Sequence, residues 1–409
     1  MINNLGKNKP AVIINANYPM AFTVLRDLGR CGIPVHGIFG RPGSRNSYQF
    51  AVRSSRYLKN KVYFDEADYQ ANAVSALIKL GRTLGKKAVL FSLSDEDMEM
   101  VSKHRERLKP YYRFLLPDHD MILDLLYKDR FAALARRKKL PVPETWVYGG
   151  EKDIKILKRV KFPCLIKPPW RDKKWISHFG PEKVVRINHY DELVEKISLL
   201  KSEFLPLVIQ ELIGGRDSNI VCSFLYLDER SNPVHISLCR KLRQNPPFFG
   251  DTSMAEHVKD EEAAAFSKNV CRKLQLTGYI SIESKKDQSD GQYKILEITP
   301  ARLNRNLGAS TYTSVSLVNG WYDFLIGRNG YCTNGFVKKG RWISEAHEFR
   351  SVPRYLASGD LKFADLLQSY RGVKKFEVLA GKDIVPFVIF ILSAFYKMVK
   401  KKYSLNSNN

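Results

Sequence analysis

Between Gly278 and Arg302 (GYISIESKKDQSDGQYKILEITPAR) apolar and polar residues alternate with the period of a β-hairpin. Ile280, Ile282 and Ser284 alternate with Ser281, Glu283 and Lys285. A turn built on Asp287, Ser289, Asp290 and Gly291 follows, and then Tyr293, Ile295, Glu297 and Thr299 alternate with Lys294, Leu296 and Ile298. Each strand therefore carries one acid. Strand residues two apart share a face, so the Thr299 oxygen lies on the side of Glu297. Two carboxylates and a hydroxyl converging from paired strands suit Mg²⁺, a hard cation that completes its shell with phosphate and water. For the hairpin taken alone, two surface acids on an amphipathic ribbon is an equal reading.

Elsewhere the pattern alternates between strand and helix. AVIINA (11–16) is a short strand; a turn with Asn17 and Pro19 leads to the helix MAFTVLRDLGRCG and then to the strand PVHGIFG. That order predicts a parallel, doubly wound sheet. The first loop is NANYPM, not GxGxxG, so dinucleotide binding is not expected there. AVSALIKLGRTLG reads as helix, KAVLFSL as strand, and SDEDMEMVSKHRERLKPYY as a capped helix in which Asp95, Glu96 and Asp97 serve the helix start. Residues 121–140 form one amphipathic helix with Lys128 near its middle. KFPCLIKPPW puts Lys167 at the end of a strand that two prolines stop. Residues 170–182 (WRDKKWISHFGPE) read as a mobile cationic loop carrying Trp170, Lys173, Lys174, Trp175 and Gly180. PLVIQELI is an apolar strand ending in Gly214-Gly215-Arg216-Asp217; SNIVCSFLYLD and VHISLCRKLRQ are long strands, NPPFFGDTSMAEH a loop, and EEAAAFSKNVCRKLQL a helix.

Composition narrows the picture. A chain of 409 residues, 44% hydrophobic, holds two or three domains. The net charge of +25 makes the exterior attractive to polyanions. No zinc finger, RNA-recognition signature or basic-region helix accompanies that charge, so nucleic acid is not expected as a partner. The six cysteines (31, 164, 222, 239, 271 and 332) stand singly in mostly apolar runs and read as reduced core residues of a cytoplasmic protein. No export signal precedes the first strand.

The remaining charged residues ask for one ligand. Lys128 and Lys167 are point charges suited to phosphates. A strand-end acid such as Glu211 and exposed backbone can take an adenine edge, and a carboxylate at Asp217 can accept ribose hydroxyls. Arg302 stands just beyond the hairpin.

Together the motifs LLYKDRFAALARRKKLPVPET, FPCLIKPPW, LVIQELIGGRD and GYISIESKKDQSDGQYKILEITPAR resemble the ATP-grasp superfamily of carboxylate–amine ligases, over roughly residues 10–325. The branch it looks like is the one found with cell-surface polysaccharide and peptide-ligase genes. The resemblance implies an α/β chain: a Rossmann-like domain (1–118), then an ATP-grasp fold of two α+β subdomains (119–196 and 197–330), then a basic extension (331–409). It implies ATP with Mg²⁺ or Mn²⁺, held by Lys128 and Lys167 at the phosphates, Glu211 and Leu212 at the adenine, Asp217 at the ribose, and Glu283, Glu297 and Thr299 at the metal. Thr299 stands where most members place Asn. Arg302 and Arg243 (or Lys241) would face an acyl phosphate formed from a small carboxylate and resolved by an amine. The alternative is an ATP-binding regulatory protein of the same fold without turnover.

The tail ends in DIVPFVIFILSAFYKMVKKKYSLNSNN. The apolar run 384–396 is shorter than the ~20 residues that cross a bilayer. It is either a docking helix or an interfacial one whose lysines, through position 402, meet an anionic membrane on its inner face. The adjoining lysines favour the second. The oligomeric state is not legible.

Overall fold

The computed structural model describes residues 9–41, 47–169, 175, 184–199, 204–310, 316–328 and 340–406. The chain divides into two compact units, one of 1–116, 301–345 and 368–409 and one of 117–300 and 346–367.

In the first unit β1 (Ala11–Ile13), β2 (Val35–Arg41), β3 (Leu58–Asp65), β4 (Ala88–Phe91) and β5 (Tyr112–Arg113) form a parallel sheet of order β3-β2-β1-β4-β5. The chain steps outward from β1 in both directions, as expected of a doubly wound sheet. β1 and β4 are buried at every position, and so read as unbroken apolar runs. Helices α1 (Ala21–Arg30), α2 (Ser47–Arg53), α3 (Tyr69–Leu84) and α4 (Asp95–Lys103) connect the strands. At the start of α4, Ser94 Oγ accepts the Asp97 N–H and the Asp97 carboxylate accepts the Ser94 N–H. Asp97 thus acts at the helix start, a cap worth about 1 kcal/mol.

The second unit holds two antiparallel sheets. The smaller contains β6 (Thr145–Tyr148), β7 (Cys164–Lys167), β8 (Val185–Ile187) and β9 (Leu207–Glu211) in the order β6-β9-β7-β8. β9 is an inner strand paired to both β6 and β7. The smaller sheet therefore continues past the 196/197 boundary expected from the sequence, as far as Glu211. The larger sheet runs β14-β13-β10-β11-β12 through β10 (Ile220–Leu227), β11 (Pro233–Asn245), β12 (Asp251–Val258), β13 (Gly278–Lys286) and β14 (Tyr293–Pro300). Half of the loop expected at 245–257 is thus strand β12, which pairs with β11 and buries Thr252 to Ala255. Ile280, Ile282, Ile295 and Ile298 pack with Leu125, Leu134 and Val270 from α5 (His119–Leu126), α6 (Lys128–Arg137) and α7 (Glu261–Lys273).

The single helix expected over 121–140 is two. Tyr127 takes an extended conformation (φ −87°, ψ 123°), and the Lys128 N–H donates to the Pro169 carbonyl at 3.2 Å. Lys128 consequently opens α6 instead of standing mid-helix.

Over the described residues 340–406 the expected basic extension forms strands and helices. In the first unit β15 (Arg341–Ile343) pairs in parallel with β16 (Val373–Phe376). Arg26 of α1 donates to Asp383 and to the carbonyls of Glu377 and Val378, which fastens this segment to the sheet domain. Helix α8 (Glu345–Ala357) follows β15, and α9 (Val385–Asn406) ends the described chain. Among the described residues no helix is long and apolar enough to cross a membrane. Cys164, Cys222, Cys239 and Cys271 are buried thiols outside any disulfide, as their settings predict. Cys31 is instead disulfide-bonded, and Cys332 lies outside the described residues.

Candidate active site

The hairpin β13–β14 sets Glu283 directly opposite Glu297, with Ser281 opposite Thr299. Its register slips between Glu283 and Ser284, so that Ser284 pairs with Ile295 and Leu296 is the extra residue. Strict alternation put Ile295, Glu297 and Thr299 on one face. The bulge changes the phase, and Ile295 joins Ile298 in the core while Glu297 is exposed. Thr299 Oγ1 donates to Glu297 Oε1 at 3.2 Å, which places the hydroxyl on the side of the two acids.

Like charges directly opposite in a sheet destabilise it, so this pair requires cations. One is Lys241, nearly fully buried, whose ammonium reaches Glu283 Oε1 at 2.7 Å and Gln244 Oε1 at 3.0 Å. Burial works against this charge, and Glu283 more than restores it, so Lys241 titrates above its ordinary value. The second is Lys167 at the end of β7, which donates to Gln210 Oε1 on β9 at 2.6 Å. Burial and the charge of Lys128 push Lys167 down to about 8, against the opposing pull of Glu297 and Glu283. Lys128, Lys167, Glu283 and Glu297 therefore share one electrostatic site.

Among the described residues no three His, Cys, Asp or Glu side chains cluster as a metal cage. Two opposed carboxylates and a hydroxyl are still a hard-oxygen donor set, and Mg²⁺ commonly takes one or two carboxylates with substrate phosphates and water. The residues fit that ion.

Other expected site residues are placed differently. Glu211 N–H donates to the Glu144 carbonyl at 2.9 Å, and Glu211 Oε2 accepts the Glu144 N–H at 3.1 Å. The Leu212 N–H is committed to the Pro163 carbonyl at 3.1 Å. Asp217 is not open to a ribose: it is 4% exposed, and its two oxygens accept from Gln244 Nε2 and Tyr355 Oη. Arg243 is also not available to an acyl phosphate, because its buried guanidinium is bound to Glu348 of α8. A buried ion pair is costly to break, and Lys241 is the β11 cation that stands at the acids. Arg302 lies in the first unit, where it pairs with Asp95 at the start of α4 and Leu303 N–H bonds the Ser92 carbonyl. Trp170, Lys173, Lys174 and Gly180 of the expected cationic loop lie outside the described residues. Trp175 is core: it packs edge-on to Phe204 among the side chains of the smaller sheet.

The fold also occurs in proteins of known structure. The L-amino acid ligase of Bacillus licheniformis superposes with a TM-score of 0.55 at 17% identity, covering 78% of this chain and 75% of that one. The fold is ATP-grasp. A second neighbour is the biotin carboxylase domain of Hydrogenobacter thermophilus 2-oxoglutarate carboxylase, solved with MgADP, ADP and bicarbonate (TM-score 0.59, 14% identity, 82% of this chain and 74% of that one). By sequence, the D-aspartate ligase of Enterococcus faecium (strain Aus0004) is 25% identical over 225 residues, 52% of this chain and 53% of that protein. The chain thus spans about half the length of that curated relative. No protein-family model matches it.

Proposed function

We propose that this ATP-grasp chain is a carboxylate–amine ligase that uses ATP and Mg²⁺ (or Mn²⁺) and forms an amide or peptide bond through an acyl phosphate. The observation that carries the reading is the shared site of Lys128, Lys167, Glu283 and Glu297. Phosphoryl transfer needs fixed cations where charge spreads over the transferring group, and oxygen donors for a phosphate-bound metal. A substrate carboxylate oxygen attacks the γ-phosphorus, ADP leaves, and the amine displaces phosphate from the acyl carbon with loss of one proton. Lys128 and Lys167 hold the phosphates during this exchange. Lys241 holds and orients Glu283. Thr299 orients Glu297. Glu283, Glu297 and Thr299 would hold Mg²⁺, which would supply charge neutralisation at the phosphates. The names of the two ligase relatives support an amino acid as one substrate. The resemblance of the motifs supports a place in envelope or exopolysaccharide assembly, on the cytoplasmic side where ATP is supplied.

The test is phosphate release from ATP and Mg²⁺ in the presence of pooled amino acids and sugar acids. Release that requires both a carboxylate and an amine, and that vanishes in Glu297→Ala, is the expected result. ADP binding without release across broad pools would instead support a nucleotide-binding regulator.

A further inference from the structure

Helix α9 is fastened at its start and packed along only one side. Asp383, two residues before it, accepts from Arg26 Nε at 3.1 Å, Ser55 Oγ at 2.9 Å and the Arg56 N–H at 3.0 Å. Pro386 and Phe390 are buried, and the Phe390 ring lies 4.8 Å from Tyr48 on α2. On the remaining surface Val385, Val388, Ile391, Leu392, Phe395 and Tyr396 are each between 48% and 63% exposed. Their spacing of three and four places them in one stripe along the helix. Nothing among the described residues covers that stripe, and scattered exposure does not produce it.

Charge and length identify what does. No acid occurs between 385 and 406. Lys397 is exposed at the end of the stripe, and Lys400, Lys401 and Lys402 follow it in sequence. The apolar run 384–396 extends only about 20 Å as a helix, too short for ~30 Å of hydrocarbon. A helix with one apolar stripe, no acids and a lysine-rich end suits the interface of a bilayer. A second copy is the other conceivable occupant, but two chains of +25 repel one another while an anionic surface attracts both.

We propose that α9 lies along the surface of an anionic membrane, with its stripe in the acyl–headgroup boundary and Lys397 at lipid phosphates. The inference stands on this helix and does not depend on the reaction proposed above. Its test is co-sedimentation of the full chain with phosphatidylcholine vesicles and with vesicles that also contain phosphatidylglycerol, at low and high salt. The chain should bind the anionic vesicles and release in salt. The exposed substitutions Leu392→Glu with Phe395→Glu should lower binding at least about tenfold. Lys397→Glu should weaken it by less. Circular dichroism and ADP binding should match the unsubstituted chain and so exclude misfolding. Failure of the unsubstituted chain to bind anionic vesicles overturns the proposal, and so does equal binding by the double variant. If the double variant changes only the oligomeric state in sedimentation equilibrium, the stripe belongs to a second copy and the proposal falls.

Discussion

Glu283 and Glu297 face one another across β13 and β14, with the Lys241 ammonium 2.7 Å from the first. Without metal, two opposed acids oppose folding. Glu297→Gln relieves that repulsion and retains an acceptor for Thr299. It should stabilise the metal-free chain by up to about 1 kcal/mol and abolish phosphate release. Thermal unfolding with and without Mg²⁺ reads both halves: the unsubstituted chain should gain stability from Mg²⁺ with ADP, and the variant should not. A variant less stable without metal would show that the pair is not repulsive.

Lys167 supplies a pH dependence. Its ammonium titrates at about 8 because burial and Lys128 oppose the charge. Phosphates brought beside it favour the charged form, so the pKa rises on binding. Above pH 8 the free lysine is largely neutral, and binding must take up a proton. ADP affinity should therefore fall as pH rises from 8 towards 10, by at most about tenfold per unit. Calorimetry at pH 9 in buffers of different ionisation enthalpy should report an uptake approaching one proton. Lys167→Met should bind ADP weakly and abolish that dependence.

The separation of legible from illegible residues follows the range of the forces involved. Period-two alternation located the hairpin and both acids, since that pattern depends only on neighbouring residues. It could not reveal the bulge at Leu296, which returns Ile295 to the core and turns Glu297 outward. Lys128 and Lys167 were recognisable by type. Their common site depends on the docking of α6 near β7, where Lys128 N–H meets the Pro169 carbonyl. Asp217 and Arg243 looked like ligand contacts because the residues that occupy them, Tyr355 and Glu348, lie more than 100 positions later. Such partners leave no local periodicity.

Tyr355 and Asp217 offer a test of that correction. The phenol donates to a buried carboxylate, and burial together with that acid holds its own pKa well above the ordinary range. Tyr355→Phe leaves Asp217 with Gln244 as its remaining side-chain partner and should cost about 1–3 kcal/mol of stability. ADP affinity should change little, because the hydroxyl serves the fold. A large loss of affinity at unchanged stability would return Asp217 to the nucleotide site.

Arg243 and Glu348 make the strongest contrast with Lys241. Both members of the Arg243 pair are buried, and Ser253 Oγ also donates to Glu348 Oε2 at 2.8 Å. Removing one partner strands the other, at a cost of about 3–5 kcal/mol. Arg243→Met and Glu348→Gln should thus both lower the unfolding midpoint. Because the arginine is committed to α8, whatever folds should retain ligand-dependent phosphate release. Lys241→Met should have the converse effect. It removes the cation that holds Glu283, so release should collapse and ADP–Mg²⁺ binding should weaken more than ADP binding alone. Measuring unfolding and phosphate release on all three variants separates the roles. Loss of release in Arg243→Met at a temperature where the variant is fully folded would restore the arginine to the chemistry.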